Sequence, residues 1–320
     1  MKNKAVNFLS KEQIREFTQT STSQGLWVVL KTWLVIAAAF ALVAWQPNII
    51  TVLLALFMLG SRQLSLAIIM HEGAHKTLAS SLWLNDFLGQ WFGAAGIGQD
   101  MYLYRVHHMK HHGRTGHPDD PDLRLADGFP VSKASMRRKL TRDVIGSTGI
   151  KNLIGSVLMA SRYWVYNVSG ERPPVYAPER TATQKLADAI KGLAPTVIVN
   201  VLLFAALAIA ASGWLYLLWL TAYLTIYPLV LRVRSIAEHA MTTDPDDALN
   251  NSRTTYGRWW ERQLFAPLNV NYHLEHHMLP TVPFYQLPKM HAALKAAGAF
   301  NNGGEVVNTY TEVMRRAASV

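Results

Sequence analysis

Four stretches of this chain are long and apolar enough to cross a bilayer as helices, a crossing that takes about 20 residues. They run over 26–45, 49–70, 193–211 and 214–231. Only Gln46, Pro47 and Asn48 separate the first two, and only Ser212 and Gly213 the last two, so each pair is expected to fold as a tight helical hairpin. Half of the 320 residues are hydrophobic and only 16% are charged, an unusual balance for a water-soluble domain. We therefore expect a single all-α integral membrane domain over 1–320, with segments 1–25, 71–192 and 232–320 outside the bilayer. Those segments hold nearly all the Lys and Arg, and the hairpin turns hold none. The positive-inside rule then puts them, and both termini, on the cytoplasmic side. The first 25 residues are polar and mixed in charge, unlike a cleavable signal peptide.

The formal charge of +10 would suit nucleic acid, but beside such long apolar runs it points to an anionic membrane face instead. No nucleic-acid partner is expected. The chain has no cysteine, which excludes disulfides, thiolate-ligated haem, cysteine-held iron–sulfur clusters and cysteine-containing zinc sites within it. Any metal must sit on nitrogen or oxygen. Between the hairpins, 83–97 mixes aromatics, Leu and Gly and suits a helix at or dipping into the interface. Lys133, Arg137, Arg138, Lys139 and Arg142 make 132–143 a basic helix near headgroups, and three prolines make 171–180 a loop.

Most of the twelve histidines fall into three short clusters, all on the expected cytoplasmic side. His71 and His75 continue the second apolar run and share a helix face at i, i+4. His108, His111 and His112 form an H-x-x-H-H box, preceded by His107 and followed by Asp119, Asp120 and Asp122. His273, His276 and His277 repeat that spacing, and His239 stands alone just past the fourth run. If the fourth helix continues to His239, that residue reaches the level of His71 and His75. Imidazole suits iron, zinc, copper or nickel, and eight clustered nitrogens are too many for one ion, so two metals are expected. His71, Glu72 and His75 also match H-E-x-x-H, the helix of zinc metalloproteases with Glu as general base. That reading leaves six clustered histidines without a role.

The three boxes, their order, their placement after the second and fourth runs and the segment 271–280 resemble the membrane fatty acid desaturase superfamily, over about residues 26–295. The resemblance implies a four-helix membrane stem under a cytoplasmic helical cap that carries the boxes. It implies two iron ions, O2 as co-substrate and the removal of two hydrogens from an acyl chain. It implies ligands at His71, His75, His108, His111, His112, His273, His276 and His277, with His239 as a ninth. Related members hydroxylate alkanes, sterols or carotenoids, so hydroxylation of a lipid or carotenoid is the alternative.

Carboxylates that accept the second ring N–H orient metal-bound imidazoles, and Asp119, Asp120, Asp122, Glu238, Glu275 and Glu72 are candidates. His107, His117 and His291 are expected to be bystanders. Arg62, inside an apolar run, is expected either to pair within the stem, to border a substrate channel or to snorkel. No dinucleotide fingerprint or cytochrome b5 haem motif is present, so electrons are expected from a separate ferredoxin or cytochrome b5-type donor.

Overall fold

A computed structural model describes residues 2–168 and 173–320, so the start of the loop expected over 171–180 lies outside the described residues. The first part of the chain folds as α1 (Lys11–Phe17), α2 (Thr22–Trp45), α3 (Ile49–His75), α4 (Leu82–Phe87), α5 (Met101–Arg114), α6 (Leu123–Ala126), α7 (Lys133–Val144) and α8 (Ser147–Ala160). It continues with α9 (Ala182–Ala210), α10 (Tyr216–Leu224), α11 (Ile226–His239), α12 (Trp259–Phe265), α13 (His273–Met278), α14 (Leu287–Ala296) and α15 (Tyr310–Ala317). The protein is mostly helical. β1 (Thr254–Thr255) pairs in parallel with β2 (Val306–Val307), an element too short to leave a pattern in the sequence.

Four helical stretches are long and apolar enough to cross a membrane: Thr22–Trp45, Ile49–His75, Ala182–Ala210 and Gly213–His239. Each extends beyond its apolar run at one end or both. α3 starts sharply because Asn48, in the turn, accepts hydrogen bonds from the backbone of Ile50 and Thr51. It then runs without interruption through Met70 to His75. α9 starts at Ala182, well before the apolar run, because Thr181 and Gln184 close a capping box there. The last stretch is interrupted at Thr225, between α10 and α11, and ends at His239.

α3 lies at the centre and packs against α2, α5, α10 and α11. Its Leu59, Leu64, Leu66 and Ile68 are buried among Ile36, Trp219, Val230 and Ile236 from those neighbours. α9 is peripheral, and Leu207 is its only buried residue among those described. The 83–97 segment is not the single helix expected: α4 passes into a π-helical turn over Leu88–Gly93 and a 3-10 turn over Ala94–Ile97. The change follows from close packing. A Cβ at Gly89 would lie 3.1 Å from the Cα of Gly73 and 2.4 Å from the sulfur of Met101, so the segment lies backbone to backbone on α3.

Arg62 is buried in α3 and donates to the carbonyl of Gln263 at 2.8 Å and to the Ser61 hydroxyl at 3.0 Å. It satisfies itself inside the protein and neither snorkels nor lines the main cavity.

Candidate metal centre

Nine histidines from four elements converge in one buried region. His71 and His75 come from the end of α3, and His108, His111 and His112 from α5. His239 ends α11, and His273, His276 and His277 lie on α13. α5 is oriented at its start by Asp100, which caps Tyr102 and Leu103 and pairs with Arg162 at 2.9 Å. α13 is held by Leu274 and Met278, which pack among Leu287, Met290 and Leu294.

The nitrogens fall into two groups. His71, His75, His108, His112 and His276 form one. His111, His239 and His277 form the second, joined through His239 to His273 and Glu238. Within the first group, Nε2 of His112 lies 3.1 Å from Nε2 of both His108 and His276. Within the second, Nε2 of His273 lies 2.8 Å from Nε2 of His239 and 3.1 Å from Nε2 of His277.

These distances form the test of fit. A neutral ring nitrogen offers either one proton or one lone pair, so three Nε2 atoms converging on one point cannot all be satisfied by one another. Two nitrogens bound to a cation at about 2.1 Å and at right angles are about 3 Å apart, as here. Nε2 of His71 and of His75 are buried with no hydrogen-bond partner. Such groups are costly to bury, and a cation between the rings would satisfy them. The donor set fits a metal.

Several rings are oriented from behind. Nδ1 of His111 donates to Asp120 at 2.8 Å, and Nδ1 of His277 lies 3.2 Å from the Thr115 hydroxyl, which donates to the carbonyl of His111. Nδ1 of His71 is 3.3 Å from Glu72, whose other oxygen accepts from Thr77 at 2.8 Å and from the backbone of Phe284 at 3.1 Å. Nδ1 of His273 makes no hydrogen bond; Glu238, which Arg234 grips at 2.7 Å, lies 3.5 Å from it. Each contact leaves Nε2 free to face the centre.

Burial and the neighbouring imidazoles hold His108, His112, His273, His276 and His277 well below the ordinary histidine range. These rings are neutral at pH 7, the form that ligates. His111 differs. Burial opposes its charge, but the hydrogen bond it donates to Asp120 and the nearby Asp122 lift its pKa above the ordinary value.

The other candidates sort differently. His107 sits outside both groups, with Nε2 2.7 Å from Asp122, and His117 lies 3.5 Å from Asp246. Asp119 pairs with Arg114 at the surface rather than with a box histidine. Glu275 also faces away from the boxes: it bonds Nδ1 of His291 at 2.6 Å and the Thr254 hydroxyl at 2.5 Å. His291 is accordingly buried, with Tyr256 on its other nitrogen at 2.9 Å, and braces α14 against α13. Thr115 is a further partner, one helical turn after His111, that the histidine spacing does not single out.

A cavity of about 650 Å³ reaches the centre, lined at its inner end by His108, His111, His239 and His273. Tyr104, Tyr166 and Tyr227 line it beside them, and Tyr104 stacks on His108 with ring centroids 4.8 Å apart. Burial pushes the hydroxyls of Tyr104 and Tyr166 up, so neither ring carries a charge. Farther out, Ile150, Ile154, Met159 and Leu231 make it apolar.

A model of the fatty acid desaturase family matches residues 44–306. The chain belongs to that family. It is also similar, at 27% identity over 239 residues, to a protein of Bradyrhizobium elkanii named dihydrorhizobitoxine desaturase. That alignment covers 74% of this chain and 65% of the relative's length.

Proposed function

We propose that this protein is a membrane desaturase whose nine histidines hold two iron ions and which acts on a fatty acyl chain lying in the cavity. The observation that carries this is the convergence of two sets of ring nitrogens at the inner end of a largely apolar cavity. His71, His75, His108, His112 and His276 would hold one ion, and His111, His239, His273 and His277 the other. Iron held there would supply the O2-dependent chemistry that removes two hydrogens from adjacent methylenes, which no side chain supplies, with electrons from a separate ferredoxin or cytochrome b5-type donor.

The chain's own residues supply placement. Asp120, Thr115 and Glu72 keep three rings turned with Nε2 inward. Tyr104 and Tyr166 wall the approach, and Tyr166 is fixed by donating to Gln99 at 2.7 Å. Glu72 is engaged by His71, Thr77 and Phe284, which argues against its serving as a protease base.

The test is the fatty-acid profile of a host expressing this chain, against a His75→Ala variant. New unsaturated chains from the wild type alone support the reading, and hydroxylated chains would replace desaturation by hydroxylation. A second reading rests on the polar groups Gln99, Asp122 and Arg234 in the cavity wall and on the relative's name. It takes a compound akin to the dihydrorhizobitoxine of that name, in place of an acyl chain, as substrate, and an unchanged lipid profile would favour it. The cytoplasmic placement of the histidines has its own test, because the chain has no native cysteine. Cysteine at Pro47 or Ser212 should react with an impermeant reagent outside sealed cells, and cysteine at Ser135 should not.

A further inference from the structure

α8 has an uncovered apolar face. Ile150, Leu153, Ile154 and Val157 follow one another at helical spacing, and all are exposed, the least of them, Leu153, at 40%. An apolar stripe of this kind on a soluble surface is an interaction site. What it meets can be read from where α8 sits and from what surrounds it.

Close backbone contacts fix its depth at both ends. A Cβ on Gly149 would lie 2.1 Å from the carbonyl oxygen of Leu224, and a Cβ on Gly192 would lie 1.8 Å from that of Ala160. The start of α8 is thus pinned to the break between α10 and α11, and its end to α9. Gly192 immediately precedes the apolar run of α9, and Leu224 lies within the apolar run that ends at Leu231. α8 therefore runs across two spanning helices from about two turns inside one apolar run to the polar edge of the other, a range that covers the upper acyl chains and the headgroups.

The charge beside the stripe has one sign. Lys133, Arg137, Arg138 and Arg142 are exposed along α7, which leads into α8. The one carboxylate between 131 and 160 is Asp143, buried and gripped by Arg232 at 2.5 and 2.9 Å. A cationic rim next to an apolar helix face complements an anionic leaflet. Ile150 and Ile154 also line the cavity that ends at the histidines, so the cavity meets the exterior on this stripe.

We propose that α7 and α8 form a membrane-facing mouth: α8 lies in an anionic leaflet with α7 among its headgroups, and the acyl chain of a membrane lipid enters the cavity sideways between them. This rests on the desaturase reading for the use of the cavity, but the placement of α8 does not.

The experiment uses full-length protein in nanodiscs, with single cysteines carrying an environment-sensitive fluorophore at Ile154, at Leu202 on the exposed face of α9 and at Asn302 as an aqueous reference. The expected result is that brominated acyl chains quench the Ile154 label nearly as well as the Leu202 label, while aqueous iodide quenches the Asn302 label alone. Iodide quenching at Ile154 equal to that at Asn302 would overturn the proposal. With brominated phosphatidylglycerol, quenching at Ile154 should exceed that with brominated phosphatidylcholine at equal mole fraction, and Arg137→Glu with Arg138→Glu and Arg142→Glu should erase the difference. Equal quenching by the two lipids in the unreversed protein would remove the anionic leaflet as partner. Entry is read separately: Gly155→Trp at the mouth should lower product from lipid acyl chains at least tenfold with metal content unchanged, and undiminished product would sink sideways entry. A lipid-facing Ile154 without product from any lipid would instead remove the acyl-chain substrate reading and leave the interface standing.

Discussion

The two H-x-x-H-H boxes have the same spacing and opposite assignments. On α5, His108 and His112, one turn apart, face the first group of nitrogens, and His111 faces the second. On α13, His273 and His277 face the second group, and His276 faces the first. At about 100° per residue the i and i+4 rings point nearly the same way and the i+3 ring about 60° to the other side, so each helix serves both groups from two edges of one face. The remaining members break this near-symmetry. The first group adds two rings from α3, with Glu72 behind one of them at 3.3 Å, whereas the second adds one ring from α11 and has two carboxylates beside it: Asp120 at 2.8 Å and Glu238 at 3.5 Å. The first group is richer in imidazole, and the second is poorer in ligands but better supplied with negative charge. The second also contributes three of the four histidines that line the cavity.

The strongest test of that difference is removal of one ring from each side. His239→Ala takes a ligand from the four-imidazole group and should abolish product and cut metal content, measured by elemental analysis of purified protein, by about half. His75→Ala should also abolish product but release less metal, because four imidazoles remain in its group. Equal and complete metal loss in both variants would show that the groups do not load independently.

The carboxylates come next. Asp120→Asn should weaken metal binding roughly 10–100-fold, the range for losing a partner that orients a ligand, as read by chelator competition. Glu72→Gln should cost less, since its contact with His71 is longer and Thr77 and Phe284 already hold the side chain. The reverse order would assign the dominant electrostatic support to the first group.

The smallest effect is expected at His107. Its ring bonds Asp122 outside both groups, so His107→Ala should keep full metal content and most activity, whereas His108→Ala should lose both. A metal-free His107→Ala beside a loaded His108→Ala would shift the second box by one residue and undo the mirrored assignment.

Much of this was legible in the chain itself. Long apolar runs have few ways to be buried, so the spanning helices could be read from composition alone, and a periodic H-x-x-H-H can put its rings on one face only if it is helical. The start of α9 lies before its apolar run because Thr181 and Gln184, a capping box written in the sequence, set it there, whereas the irregular turns over 88–97 were not legible because glycine-to-glycine packing on α3 sets them. Nearness in sequence correctly pointed to Asp120, nine residues from the ring it holds. It misled at Glu275, which lies between box histidines but turns to His291 because α14 is packed there.

What the sequence determined by itself is therefore local: the helical runs, the spacing that puts three rings on one face, and a donor set of nitrogen and oxygen in a chain without cysteine. Which nitrogen meets which was decided only when α3, α5, α11 and α13 came together. Helical periodicity fixes the angle between side chains on one helix, but the crossing of four helices sets the 2.8–3.1 Å separations between rings from different ones. The cavity has the same origin, since its wall draws on α5, α8 and α11, and no single helix encodes a shape that exists only between them.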